Sequence, residues 1–438
     1  MKNPIYILTL LIIFSITVDY RFFSGIEGLP SITIVEALSY LAVVVLFAKL
    51  AMEGDELSKR IIAIHRNNRL IALYFIWTGL ASLASLVRSS DALRFYKDLV
   101  PSLIVYFLVA ISVRDLRAFK GVALAFLSGT ALNLLLGLSQ VVTGGPTIVD
   151  LNEGARMKMD LSAEVVSGNL ATGFFTHPNG YALFLVPSAI LIPALLFKSR
   201  SLHTHTKVLL LALWLLLFCN LWYTYAKVAF AFTLIGVTLI PVLGILKKRY
   251  LATGLAILTA SIFGITAFSL WAYPEYGRLF GTMLARYELW KVTFLAIRSD
   301  VFVAILGNGF ANMTGLSALY ASMEYPNAHN AYLNQIIYSG FPALFLYIGM
   351  LTIALRRLAN KLQSANDWQK TAGLFLFSAL IALLGIYFFE PANQGVVEQA
   401  QLFVLLALAS TISRMSSDAS LKNHEKDRYL QNSISSRL

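Results

Sequence analysis

The chain has 438 residues, of which 58% are hydrophobic and 13% charged, with a mean hydropathy of +0.70. Soluble domains carry about 25% charged residues, so this composition excludes a soluble protein and predicts an all-α polytopic membrane protein. A formal charge of +12 would suggest nucleic acid in a soluble chain, but a membrane protein concentrates Lys and Arg on one side of the bilayer, which accounts for the excess with no nucleic-acid partner.

A spanning helix needs about 20 apolar residues. Twelve candidates follow in chain order: 3–19, 31–50, 69–87, 97–113, 120–142, 179–197, 207–223, 227–246, 250–271, 331–354, 371–389 and 396–413. The first run, Pro4–Val18, is followed by DYRFF rather than a small-residue cleavage signal, so it reads as a retained span. Internal prolines, as in VPSAILIPALLF at 186–197, do not disqualify a span, because neighbouring helices can satisfy the freed backbone groups. With residue 1 in the cytoplasm, the turns assigned inside hold 24 of the 35 Lys and Arg residues. Twelve spans with both termini cytoplasmic therefore satisfy the positive-inside rule, and residues 1–413 form a single membrane domain.

Two long loops fall outside. The first, 143–178, is polar and Gly-rich at its start; the second, 272–330, lies between the ninth and tenth spans and is partly helical. Its segment MLARYELWKVTFLAI has apolar residues at helical spacing, as a helix on a membrane surface would. Loops over a rigid scaffold are where chemistry concentrates. The Ser-rich, mixed-charge tail 414–438 is expected to be disordered and cytoplasmic. No P-loop or dinucleotide fingerprint in its proper context occurs, which argues against ATP-driven transport. The single cysteine, Cys219, lies inside an apolar run and supports neither a disulfide framework nor a thiolate metal site.

The outer polar residues are the candidates for chemistry. Arg286 and Arg278 are flanked by aromatic and apolar residues; a guanidinium fork suits a lipid diphosphate, although either arginine could instead snorkel to headgroups. Lys227 sits between two apolar runs, where an ammonium is paired, functional or a helix-end anchor. His329, in NAHN ahead of an apolar run, could take a proton from an attacking hydroxyl or serve as a hydrogen-bonding interface residue. His177 in FFTHPNG carries the same two readings. His203 and His205 have no carboxylate nearby and predict no metal. Gly307 and Gly309 permit a tight turn but follow no β-strand, so a dinucleotide role fails on context. Asn308, Glu288 and Glu324 could contact hydroxyls or orient a neighbouring cation.

Five segments carry a resemblance: TGFFTHPNGYALFL at 172–185, YAKVAF at 225–230, RYELW at 286–290, GNGF at 307–310 and AHNAYLNQIIYSGFPAL at 328–344. Together they resemble the O-antigen ligase and polymerase superfamily of bacterial surface-polysaccharide membrane proteins. That resemblance implies a polyprenyl diphosphate-linked glycan donor, a lipid A–core or lipid-linked glycan acceptor, and no cofactor or catalytic metal, at the periplasmic face of the inner membrane. It also implies that His329 activates the acceptor and that Arg286 is the large-loop arginine. His177, Asn179 of the Pro-Asn pair and Asn330 of the His-Asn pair become substrate-binding candidates with Arg278. The family commonly has an arginine where this chain has Leu170, a place Arg156 or Lys158 could fill electrostatically, and Lys227 stands for another family arginine.

A prenyl diphosphate leaves readily once its charge is neutralised, so cations and a base suffice for glycosyl transfer. Ligase and polymerase share this donor chemistry and differ in acceptor; the His-Asn pair favours the ligase. A secondary transporter is the alternative of another class, but no internal repeat is visible and the polar groups gather outside rather than at a midplane site. A structural scaffold would leave the outer basic and histidine cluster unexplained.

Overall fold

A computed structural model describes residues 3–18, 21–22, 32–88, 92–143, 171–175, 177–198, 202–245, 277–309, 327–362, 367–391 and 395–435. The helices are α1 (Pro4–Ser15), α2 (Ile34–Glu53), α3 (Asp55–Asn67), α4 (Arg69–Ser85), α5 (Ala92–Ser112), α6 (Leu116–Thr143) and α7 (Pro178–Lys198). They continue with α8 (Thr204–Tyr223), α9 (Lys227–Ile245), α10 (Gly277–Ser299), α11 (Val301–Leu306), α12 (Ala331–Lys361), α13 (Asp367–Tyr387) and α14 (Val396–Ser435). One short antiparallel pair, β1 (Arg21–Phe22) with β2 (Ile32–Thr33), precedes α2.

Among the described residues nine helices are long and apolar enough to cross a bilayer, with two shorter apolar helices, Pro4–Ser15 and Arg69–Ser85. The chain is therefore a helical, multi-pass membrane protein. The candidate span 250–271 lies outside the described residues.

Burial sorts the helices. In α14 the apolar window is 89% buried and in α8 only 17%, so α14 belongs to the centre and α8 to the rim, where Leu209, Leu215 and Trp222 point outward. Around α14 stand α5, α12 and α13, while α7 packs on α13 and α9, and α4 packs on α12. Without a hydrophobic drive inside lipid, such contacts rest on close packing and buried polar links. Thr130 and Ser188 join α6 to α7 at 2.7 Å, and Tyr74 donates to Gln335 across α4 and α12 at 2.9 Å.

Two departures from the sequence expectation concern polar segments. The turn 49–69 contains α3, whose Leu57 and Ile64 are buried while Lys59 and Arg66 are exposed. At the other end of the chain, α14 runs on to Ser435 through most of the segment 414–438 expected to be disordered. No Pro or Gly interrupts residues 415–435, and the buried first half of α14 has already met the cost of nucleation, so propagation continues into polar sequence.

Helix α12 is broken at Gly340, whose φ of +78° is left-handed. The break lets α11 approach backbone to backbone: a Cβ on Gly340 would collide with the Ile305 carbonyl, and one on Gly307 (φ +76°) with the Tyr338–Ser339 peptide. The Asn308 N–H donates to the Ile337 carbonyl at 2.6 Å. Gly307 thus seats the end of the 277–309 segment on α12, while Gly309 (φ +79°) fits against Ala92 of α5 and Ser85 of α4.

Candidate functional site

The candidate site lies at the end of the bundle where α7, α12 and α14 begin and α13 ends. Its first component is the entry to α12. Asn330 is the N-cap, its Oδ1 accepting from the Tyr332 and Leu333 N–H groups at 3.0 Å each. Asn327 Oδ1 accepts the His329 N–H at 2.8 Å, and Asn334 Oδ1 accepts the Ala328 N–H at 2.9 Å. These side chains hold His329 at φ +46°, a left-handed conformation uncommon outside glycine. Helix α10 is fastened to the same turn, since Trp290 Nε1 donates to the Ala328 carbonyl at 3.0 Å.

Arg286 is carried on α10, one turn before Trp290. Its Nη2 lies 2.6 Å from Glu390 Oε1, and both side chains are largely buried, at 13% and 11% exposure. Glu390 Oε2 accepts from Asn179 Nδ2 at 3.1 Å, and the Asn179 N–H donates to His177 Nδ1 at 3.1 Å. Residues 177–179, 286 and 390 are thereby joined in one polar chain. His329 feels it electrostatically: burial first, then the Arg286 charge and then His177, pull its pKa from 6.5 down to about 4. Its imidazole is neutral at ordinary pH. Burial raises the Glu390 carboxyl above its usual value against the opposing pull of Arg286 and Asn179.

The 171–175 segment is set by two buried amides of α6. Gln140 Oε1 accepts the Thr172 and Gly173 N–H groups at 2.9 Å each, while its Nε2 donates to the Gly173 carbonyl at 3.1 Å. Asn133 Oδ1 accepts the Phe174 N–H at 3.0 Å. These bonds satisfy loop backbone that would otherwise be costly to bury. They also fix the approach to His177 and α7.

A second polar junction braces the opposite flank. Arg88, just beyond α4, contacts Asp300 at 2.7 Å and Asn308 Oδ1 at 3.3 Å and lies over the Phe302 ring at 4.1 Å. The Arg88 bond leads the causes that hold the Asp300 carboxyl below its ordinary pKa.

Of the residues singled out in the sequence, Arg286, His329, His177 and Asn179 come together. Asn330 is beside them, but its Oδ1 is engaged as a helix cap. Lys227 opens α9, exposed, at the same end of the bundle, since Phe232 of α9 packs on Phe389 with ring centroids 6.2 Å apart. No described contact joins Lys227 to Arg286 or His329. The side chain of Arg278 and the whole of Arg156, Lys158, Leu170 and Glu324 lie outside the described residues. Glu288 faces Lys291 at 3.6 Å on the surface of α10. Sequence reasoning misses Glu390, whose only local signal is a lone carboxylate closing the apolar run before Pro391.

Chemically, the cluster combines a neutral imidazole, a fork of guanidinium donors, and a carboxylate that orients the guanidinium. A scan against family models finds no match, and no curated protein matches the chain.

Proposed function

We propose that the protein is a polyprenyl-diphosphate-dependent glycosyltransferase of the O-antigen ligase type, acting at the periplasmic face of the bacterial inner membrane. In this reading the chain has twelve spans with both ends in the cytoplasm, and 272–330 is the reaction loop. The observation that carries it is the junction of Arg286 and the His177–Asn179 turn on Glu390, with His329 close enough to feel Arg286 and His177 at the same end of the bundle.

The reaction runs as a displacement. An acceptor hydroxyl oxygen attacks the anomeric carbon of the donor glycan; the bond from that carbon to the diphosphate oxygen breaks; the hydroxyl proton passes to His329. Arg286 binds the diphosphate and stabilises the charge that builds on it as it leaves. Its five donors are arranged as a fork, which lets one edge face Glu390 while another faces phosphate. A low resting pKa keeps His329 ready to accept a proton, and an anionic donor raises its basicity once bound, because a negative charge nearby favours imidazolium. Lys227, at the same end of the bundle, adds positive charge at the mouth.

The test is reconstitution with a diphosphate-linked glycan donor and two separate acceptors, read by mass analysis of the products. Transfer to lipid A–core supports the ligase; extension of a second lipid-linked unit instead makes the protein a polymerase. Wild-type transfer by His329→Ala with both acceptors would remove His329 as the base.

A further inference from the structure

At the end of the bundle opposite His329, a cavity of about 170 Å³ opens between α3, α4, α12 and α14. Helices α4 and α12 run antiparallel, with Trp77 donating to the Ser339 carbonyl near one end and Arg357 Nη1 donating to Asn68 Oδ1 at 2.6 Å near the other. Arg357 therefore lies near the far end of α12 from Ala331. The cavity shares no residue with the proposed reaction site.

Its polar wall consists of Arg66, Arg69 and Arg357, and no carboxylate lines it among the described residues. Asn68 organises this wall. Its Oδ1 accepts from Arg357, while its Nδ2 donates to the Ile64 carbonyl at 2.9 Å and to Ser410 Oγ at 3.0 Å. The half-buried guanidinium of Arg357 is thus held in place, while Arg66 and Arg69 are exposed beside it. Arg69 is also the first residue of α4, whose N-terminal N–H groups favour an anion. The remaining wall is apolar: Met350 and Leu406 are buried, and Ile353 is 38% exposed, leading from the cavity to the outer flank of the bundle.

We infer that this cavity holds the phosphate headgroup of an anionic phospholipid, with its acyl chains leaving along the Ile353 side. Guanidinium groups match phosphate oxygens with paired donors. Basic pockets between spanning helices on the side facing the cytoplasm are suited to anionic headgroups. The apolar wall favours a lipid over a soluble phosphate, because the exposed Ile353 offers acyl chains an apolar surface that inorganic phosphate would leave uncovered. Depth agrees, because α3 lies beside the cavity with Leu57 and Ile64 against the bundle and Lys59 outward, as an amphipathic helix does at a membrane interface.

The full chain, purified in a neutral detergent, is titrated with phosphatidylglycerol, phosphatidylcholine or inorganic phosphate, and binding is followed by native mass spectrometry and by thermal unfolding. Phosphatidylglycerol is expected to bind and raise the unfolding temperature, while phosphatidylcholine and inorganic phosphate leave it unchanged. Arg66→Gln/Arg69→Gln is expected to weaken phosphatidylglycerol binding by about tenfold or more while keeping the lipid-free unfolding temperature. Arg66→Lys/Arg69→Lys should fall between, since lysine keeps the charge and loses the fork. Equal binding of phosphatidylcholine would reduce the cavity to an apolar groove. A shift reproduced by inorganic phosphate would make it a soluble-anion site. Undiminished binding in the glutamine variant, or failure of phosphatidylglycerol to bind the wild type, would also overturn the inference.

Discussion

Arg286 and Glu390 meet at 2.6 Å although 104 residues separate them, and each is largely buried. The pair fixes α10 beside the end of α13, which Glu390 follows. Removing one partner of a buried pair leaves an uncompensated charge, at a cost of about 3 kcal/mol or more. Glu390→Ala should therefore lower the unfolding temperature and also abolish transfer, because Arg286 and Asn179 lose their common acceptor. Arg286→Met/Glu390→Leu restores apolar packing and is expected to be more stable than Glu390→Ala while remaining inactive. Activity in that double variant would rule out Arg286 as the diphosphate ligand.

The depressed pKa of His329 sets a pH window. In the unfolded chain an imidazole titrates near its ordinary 6.5; in the fold it titrates at about 4. Between these values the unfolded state binds the extra proton, so the contribution of His329 to stability is complete above pH 6.5 and is lost as pH falls through 4. Glu390, shifted upward, works in the opposite sense. The difference between wild type and His329→Asn, measured by thermal unfolding from pH 7 to pH 4, isolates the histidine and should shrink toward acid. In transfer assays the acid limb of kcat/KM should fall below the ordinary histidine value, since that limb reports the free enzyme's base. A limb at 6.5 would mean that His329 is hydrated and unpaired with the Arg286 charge.

The membrane helices are legible in the sequence because span length and apolar composition are local: 179–197 becomes Pro178–Lys198, and 371–389 becomes Asp367–Tyr387. Helix α3 is hidden inside a charged turn, since only Leu57 and Ile64 mark its buried face. In the site, Arg286 and His329 stand out as polar groups against apolar surroundings. Glu390 does not, because its meaning comes from a partner on another helix and no local spacing encodes that contact. The glycine pair behaves likewise: GNGF reads as a turn, but nothing near it points to Gly340.

Gly307 and Gly340 give a sharp test of the packing between α11 and α12. At both Gly307 and Gly340 an added Cβ meets backbone rather than a movable side-chain tip, and both have left-handed φ. Gly340→Ala should therefore combine strain of about 1–3 kcal/mol with displacement of α11. Loss of the Asn308–Ile337 bond would follow, together with loosening of the Arg88–Asp300 junction. Protease nicking within 300–309 should rise in parallel with the fall in unfolding temperature. A variant as stable and as resistant as wild type would show that α11 does not rest on the α12 break.

Gln140 offers a test of how the first loop reaches the site. Its side chain accepts from Thr172 and Gly173 and donates to the Gly173 carbonyl, all without exposure to water. Gln140→Leu keeps an apolar stem of similar size but strands those backbone groups, each at about 1–3 kcal/mol. Because the same segment leads directly to His177 and Asn179, the loss should appear in transfer as well as in stability. Gln140→Glu retains the acceptor oxygen while losing the donor to Gly173, so it should lie between wild type and the leucine variant. Stability loss with unchanged transfer in the surviving Gln140→Leu protein would separate the loop anchor from the His177–Glu390 chain and confine Gln140 to folding.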